Sequence, residues 1–90
     1  MRITQRLLNL ILARRYQMTD HALESMDEDG LTLNDLLSCL DTGRLRRSWP
    51  RQRKYEIEGR AVDGRPTRIV ARLLPDGRVR IITTYEVEQA

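Results

Sequence analysis

Ninety residues, 40% apolar and 32% charged, make one domain with a small core and little stability to spare. One histidine and one cysteine exclude an internal disulfide and offer no zinc-type ligand spacing, and no apolar run nears the roughly eighteen residues of a membrane helix. The net charge of +3 conceals a segregation: residues 1–15 carry +4, residues 16–43 carry −7, residues 44–80 carry +8 and residues 81–90 carry −2.

Residues 1–15, MRITQRLLNLILARR, have the outline of a signal peptide, but the apolar run is broken by Asn9 and ends in Arg14-Arg15 rather than a small-residue cleavage site. They are read instead as a helix of the mature protein. Over residues 3–14, Ile3, Leu7, Leu10, Ile11 and Arg14 recur at helical spacing, and Leu8 and Leu12 widen the apolar face beyond one stripe. A face that wide is expected to cover a sheet or to meet a partner on its other side, a homodimer through this helix among the options.

Tyr16-Gln17-Met18 reads as a short link or a brief strand. Thr19 or Asp20 can cap a second helix carrying His21, with Ala22, Leu23 and Met26 as its thin apolar side. Acids at Asp27-Glu28-Asp29 oppose the dipole at its C-terminal end, so a short helix ending at Gly30 is expected. Thr32, with Asp35 in the third helical position, opens a third helix whose buried face is Leu33, Leu36, Leu37 and Leu40, and Gly43 stops it. Cys39 falls within that apolar pattern and reads as a core thiol, which fits a reducing, cytoplasmic setting.

Beyond Gly43 the period changes from about 3.6 to 2. Arg44–Trp49 alternates until Pro50, Tyr55 and Ile57 lie between charged residues, Asp63-Gly64 is a turn, and TRIVARLL at 67–74 is an apolar strand. Pro75-Asp76-Gly77 signals a hairpin into RVRIITTYEV at 78–87. Strict alternation in that last strand puts Val79, Ile81, Thr83, Tyr85 and Val87 on one face, which predicts a buried Tyr85. The expected architecture is a single α+β domain over residues 1–90, with N-terminal helices packed on a three- to four-stranded antiparallel sheet. It divides into an N-terminal helix (1–15), an acidic helical segment (16–43) and a basic antiparallel sheet (44–90).

Four stretches in this order, YQMTDHALESM, GLTLNDLLSCLDTG, RKYEIEG and RIITTYE, resemble a family of small bacterial domains of unknown function, DUF4258. His21 and Ala22 match its T-x-H-A helix start, Gly30, Gly43 and Gly59 its turn glycines, and Thr83, Thr84 and Tyr85 its closing strand. That family is distantly similar to toxins of the RelE and BrnT kind, small metal-independent ribonucleases. The resemblance implies a RelE-toxin-like fold, RNA as substrate and an antitoxin-like protein as partner, with no metal or cofactor. One departure is the run ESMDEDG after His21, where the family pattern usually has a basic residue or two and this chain carries acids.

Metal-free RNA cleavage needs a base for the 2′-hydroxyl, an acid for the leaving oxygen and cations around the phosphorane. Among residues of this sequence, His21 suits the base, Tyr85 the acid or an orienting hydroxyl, and Lys54, Arg47, Arg72 and Arg80 the cations. His21 has a second reading, as a residue that hydrogen-bonds the sheet or a carboxylate and fixes its helix. Fifteen of the sixteen basic residues are Arg, whose planar fork suits phosphate, yet an arginine-rich face can also simply balance acidic helices. Trp49 and Tyr55 would stack on bases if exposed and fill the core if buried, and burial is the expectation. Two other functions compete with the ribonuclease: a non-enzymatic protein-interaction or self-associating domain, and a nucleic-acid-binding protein without chemistry.

Overall fold

A computed structural model describes residues 1–88. In chain order the elements are α1 (Ile3–Leu12), β1 (Tyr16–Met18), α2 (Asp20–Glu28), α3 (Leu33–Thr42), β2 (Arg44–Trp49), a 3-10 turn (Pro50–Gln52), β3 (Lys54–Arg60), β4 (Pro66–Leu73) and β5 (Val79–Glu86). The strands form one sheet in the order β1-β5-β4-β3-β2. The α+β class stands, but the sheet has five strands and is mixed, because β1 pairs in parallel with β5. The last two residues of the expected 44–90 sheet segment lie outside the described residues.

The start signals work as the sequence implies. Thr19 caps α2, its Oγ1 accepting from the backbone of Ala22 at 3.0 Å. Thr32 and Asp35 form a full capping box at α3. The Asp35 carboxylate also accepts from the backbone of Val62 at 3.0 Å, so the cap ties α3 to the β3–β4 connection. Those backbone donors, Thr32 first and then Val62, hold the buried Asp35 carboxyl below the usual carboxylate range despite the opposing effect of desolvation.

The acids at the C-terminal end of α2 are answered by a residue far along the chain. The Arg65 guanidinium donates to the Asp29 carbonyl at 2.6 Å and to Gly30 at 3.4 Å, and it pairs with Asp63 and Glu86. A cation here satisfies open helix carbonyls and offsets the dipole. Asp29 in turn accepts from the Glu86 backbone at 2.8 Å, while the Thr19 hydroxyl donates to Ile82 O at 2.8 Å. β1 and α2 therefore share the outer edge of β5, one covering each half. The other edge, β2, is exposed, and its bulge at Arg46 and its arginines guard it against strand addition.

The core lies on one face of the sheet. Leu7 and Ile11 of α1, Ala22 and Met26 of α2, and Leu36, Cys39 and Leu40 of α3 meet Ile57, Ile69, Ala71, Leu73, Val79 and Ile81. Leu33 departs from the expected buried stripe: at the first position of α3 it is 40% exposed. Gly59 is not a turn glycine. It sits inside β3, where a Cβ would collide with the Cys39 carbonyl oxygen, so α3 approaches the strand more closely than any side chain permits. Cys39 donates to Thr67 O at 3.3 Å, and burial pushes its thiol up to about 12, which leaves it an inert core residue.

Candidate nucleic-acid interface

The face of the sheet turned away from the core is built by cross-strand pairing. Three rows run across it. The first is Trp49–Lys54–Arg72–Arg80–Gln17, the second Arg47–Glu56–Val70–Thr83, and the third Arg44–Glu58–Arg68–Tyr85. The bulge in β2 adds Arg46 to the second row, where it reaches Glu56 at 3.3 Å. Seven cations thus share the face with two carboxylates, and both carboxylates are already engaged. Glu56 is flanked by Arg46 and Arg47, and Glu58 holds Arg68 at 2.8 Å. The Arg68 hydrogen bond, with the charges of Arg68, Arg46 and Arg44 behind it, keeps the Glu58 carboxyl below its ordinary range.

The first row differs in kind. Lys54, Arg72 and Arg80 are consecutive across three strands, and none forms an ion pair among the described residues. Like charges directly opposite one another on a sheet oppose pairing. Arg80 donates only to the neutral Gln17 amide at 3.2 Å, and the Lys54 ammonium lies 4.5 Å from the centroid of the Trp49 ring. Three adjacent strands span about 10 Å, so the row is a short linear cation track.

A bulge in β5 decides where Tyr85 goes. Ala71 pairs with Ile81 and Val70 with Thr83, which leaves Ile82 as an extra residue. The side-chain phase reverses there. Val79 and Ile81 point into the core, but beyond the bulge it is Thr84 that is fully buried, and Tyr85 shares a row with Arg68. Tyr85 is half-exposed rather than buried, and its phenol joins Glu58 in raising the Arg68 pKa. Strict alternation misplaces this residue because the extra position appears only in the pairing with β4. Trp49 also departs from the expected burial: Tyr55 packs against the core, while Trp49 stays half-exposed beside Lys54.

The remaining sequence candidates divide. Lys54, Arg72 and Arg80 stand together; Arg47 is one row away, 4.0 Å from Glu56; Tyr85 is in the third row. His21 belongs to another element, the first turn of α2, where it is exposed. None of the side-chain hydrogen bonds or ion pairs among the described residues involves His21; Thr19 does the work of tying α2 to β5. Asp20 places a carboxylate in the same helical turn. Arg68 and Gln17, which sequence reasoning passed over, join the face through strand register alone. Among the described residues no cluster of three or more His, Cys, Asp or Glu side chains is placed to hold a metal ion. No helix among them is long and apolar enough to cross a membrane.

The family model described as "Domain of unknown function (DUF4258)" matches residues 18–86. No curated protein and no solved structure matches the chain. The matched segment runs from the end of β1 to the end of β5 and contains α2, α3 and the strands β2 to β5 that carry the cations of the face; α1 and Gln17 lie outside it. The chain belongs to this family.

Proposed function

We propose that this DUF4258 member binds RNA through the phosphate backbone, on the sheet face turned away from the core. The observation that carries the reading is the row Lys54–Arg72–Arg80, three adjacent cations without an acidic partner. An anion laid along the row relieves their mutual repulsion, and releasing counterions from a polyanion adds to the gain. The charge layout supports it: the −7 segment forms α2 and α3, on the core side, so the basic face is not neutralised from its own surface.

The likeness to RelE- and BrnT-type toxins extends the reading to metal-independent endonucleolytic cleavage in the cytoplasm. Lys54, Arg72 and Arg80 would stabilise the charge that builds on the phosphorane, and the Tyr85 phenol is the acid available on the same face. His21, exposed on α2 on the core side of the sheet, would serve as base to RNA that wraps the β5 edge from the cationic face. The test is RNA incubated with the protein in EDTA, beside His21→Ala, Tyr85→Phe and an Arg72→Thr/Arg80→Thr double variant. Cleavage lost in all three supports a toxin-type enzyme. Retention of RNA that every variant leaves intact, with only the double variant weakened, makes the protein a binder without chemistry.

A separate patch favours a protein partner on the helical side. Leu12 is 62% and Leu33 40% exposed, and both line a shallow cleft with Ile11, Tyr16 and Leu37. An antitoxin-like chain or a second copy would cover it. Light scattering on the wild type and on Leu12→Glu separates the second copy from a different partner.

A further inference from the structure

We infer that Trp49 is a stacking platform for an unpaired base of the bound RNA, so the ligand is single-stranded where it leaves the cation row. The inference rests on the RNA-binding reading above and specifies its substrate class.

Register places the ring. Trp49 is the direct partner of Lys54, which makes it the terminal member of the row that continues through Arg72 to Arg80. A backbone running along those cations arrives at an aromatic side chain on the same face. The ring is held there: the Lys54 ammonium sits 4.5 Å from its centroid, a cation–π contact that fixes one side of the indole.

The turn that follows builds the rest of the subsite. Pro50–Gln52 forms a 3-10 turn, and Arg53 closes it in the left-handed region at φ 51°. With Ser48 and Trp49 this turn borders a shallow, open cleft of about 440 Å³, whose lining is mainly apolar. Arg51, part of that lining, is exposed. A shallow apolar cleft at the end of a cation track, with an indole on one side and the exposed Arg51 beside it, has the two parts of single-strand recognition: a charged path for the backbone and a π-face for a base. A paired base is stacked within its duplex and offers no free face to the ring. Tyr55, on the opposite face, packs against the core and offers none either.

Trp49 is the only tryptophan, so its emission reports this subsite alone. The experiment titrates the full chain with a fluorescently labelled single-stranded RNA and with the same RNA annealed to its complement, reading label anisotropy and Trp49 emission together. Trp49 emission is expected to change on single-strand addition and to saturate with the anisotropy, and the duplex is expected to leave it unchanged. Trp49→Ala weakens single-strand binding about tenfold, whereas Trp49→Phe keeps most of it. Anisotropy that rises while Trp49 emission stays flat and Trp49→Ala binds like wild type overturns the stacking platform and leaves the cation row standing. An equal emission change with duplex also overturns it. Absence of any anisotropy change with either RNA overturns the RNA-binding reading itself.

Discussion

Arg72 and Arg80 sit directly opposite each other on neighbouring strands, on the sheet face turned away from the core, and Lys54 flanks Arg72 on its other side. Both rows beside this one hold an acid among their cations, Glu56 in one and Glu58 in the other, and this row holds none. Arg72→Thr is expected to raise the melting temperature slightly, because it removes repulsion, and, on the proposed RNA-binding reading, to weaken RNA binding in the same step. Thermal unfolding and a binding titration on the same sample check it; a fall in both would mean that Arg72 has a structural partner.

Thr84 tests the bulge at Ile82. Its hydroxyl is buried without a hydrogen-bond partner among the described residues, because the bulge turns it into the core. Thr84→Val keeps the shape and removes the stranded polar atom, so it is expected to stabilise the protein by about 1 kcal/mol in urea unfolding. Destabilisation by a similar amount would place Thr84 on the other face and Tyr85 in the core.

The Asp35 cap sets a pH dependence. Its carboxyl is held below the ordinary value of 3.8 by the Thr32 and Val62 backbone donors. A depressed folded-state pKa contributes stability that is complete above the unfolded value and lost as pH falls through the folded one. Asp35→Asn should cost about 2 kcal/mol at neutral pH, and the gap to wild type should shrink as the pH drops below about 4. Urea titrations across that range measure the gap directly.

Gly59 tests the close approach of α3 to β3. Gly59→Ala sets a methyl against the Cys39 carbonyl and is expected to cost about 3 kcal/mol. Gly64→Ala, in the β3–β4 turn, strains a positive φ but meets nothing within 4 Å, so it is the milder change. Comparing the two midpoints separates crowding from backbone strain.

The sequence carries the local signals of this fold clearly. Thr19, the Thr32–Asp35 box, the Gly43 stop and the Pro75–Gly77 hairpin each depend on residues within a few positions of one another, and each forms. What it hides is long-range. The parallel pairing of Tyr16–Met18 with Val79–Ile81, the Arg65 clamp on α2 and the close packing at Gly59 join residues that no local period relates. The candidate site divides the same way. Arg72 and Arg80 face each other because a tight hairpin joins their strands, which the sequence signals. The exposure of Tyr85 follows from one extra residue in β5, which does not.

On the proposed reading, Lys54, Arg72 and Arg80 together receive an RNA backbone. The most direct measurement is the salt dependence of single-stranded RNA binding for wild type and for the Lys54→Met/Arg72→Thr/Arg80→Thr triple variant. Each phosphate contact contributes about 0.7 to the slope of log affinity against log salt, so losing three is expected to flatten that slope by about 2. A triple variant that binds with the wild-type slope and affinity would mean that this row takes no part in RNA binding.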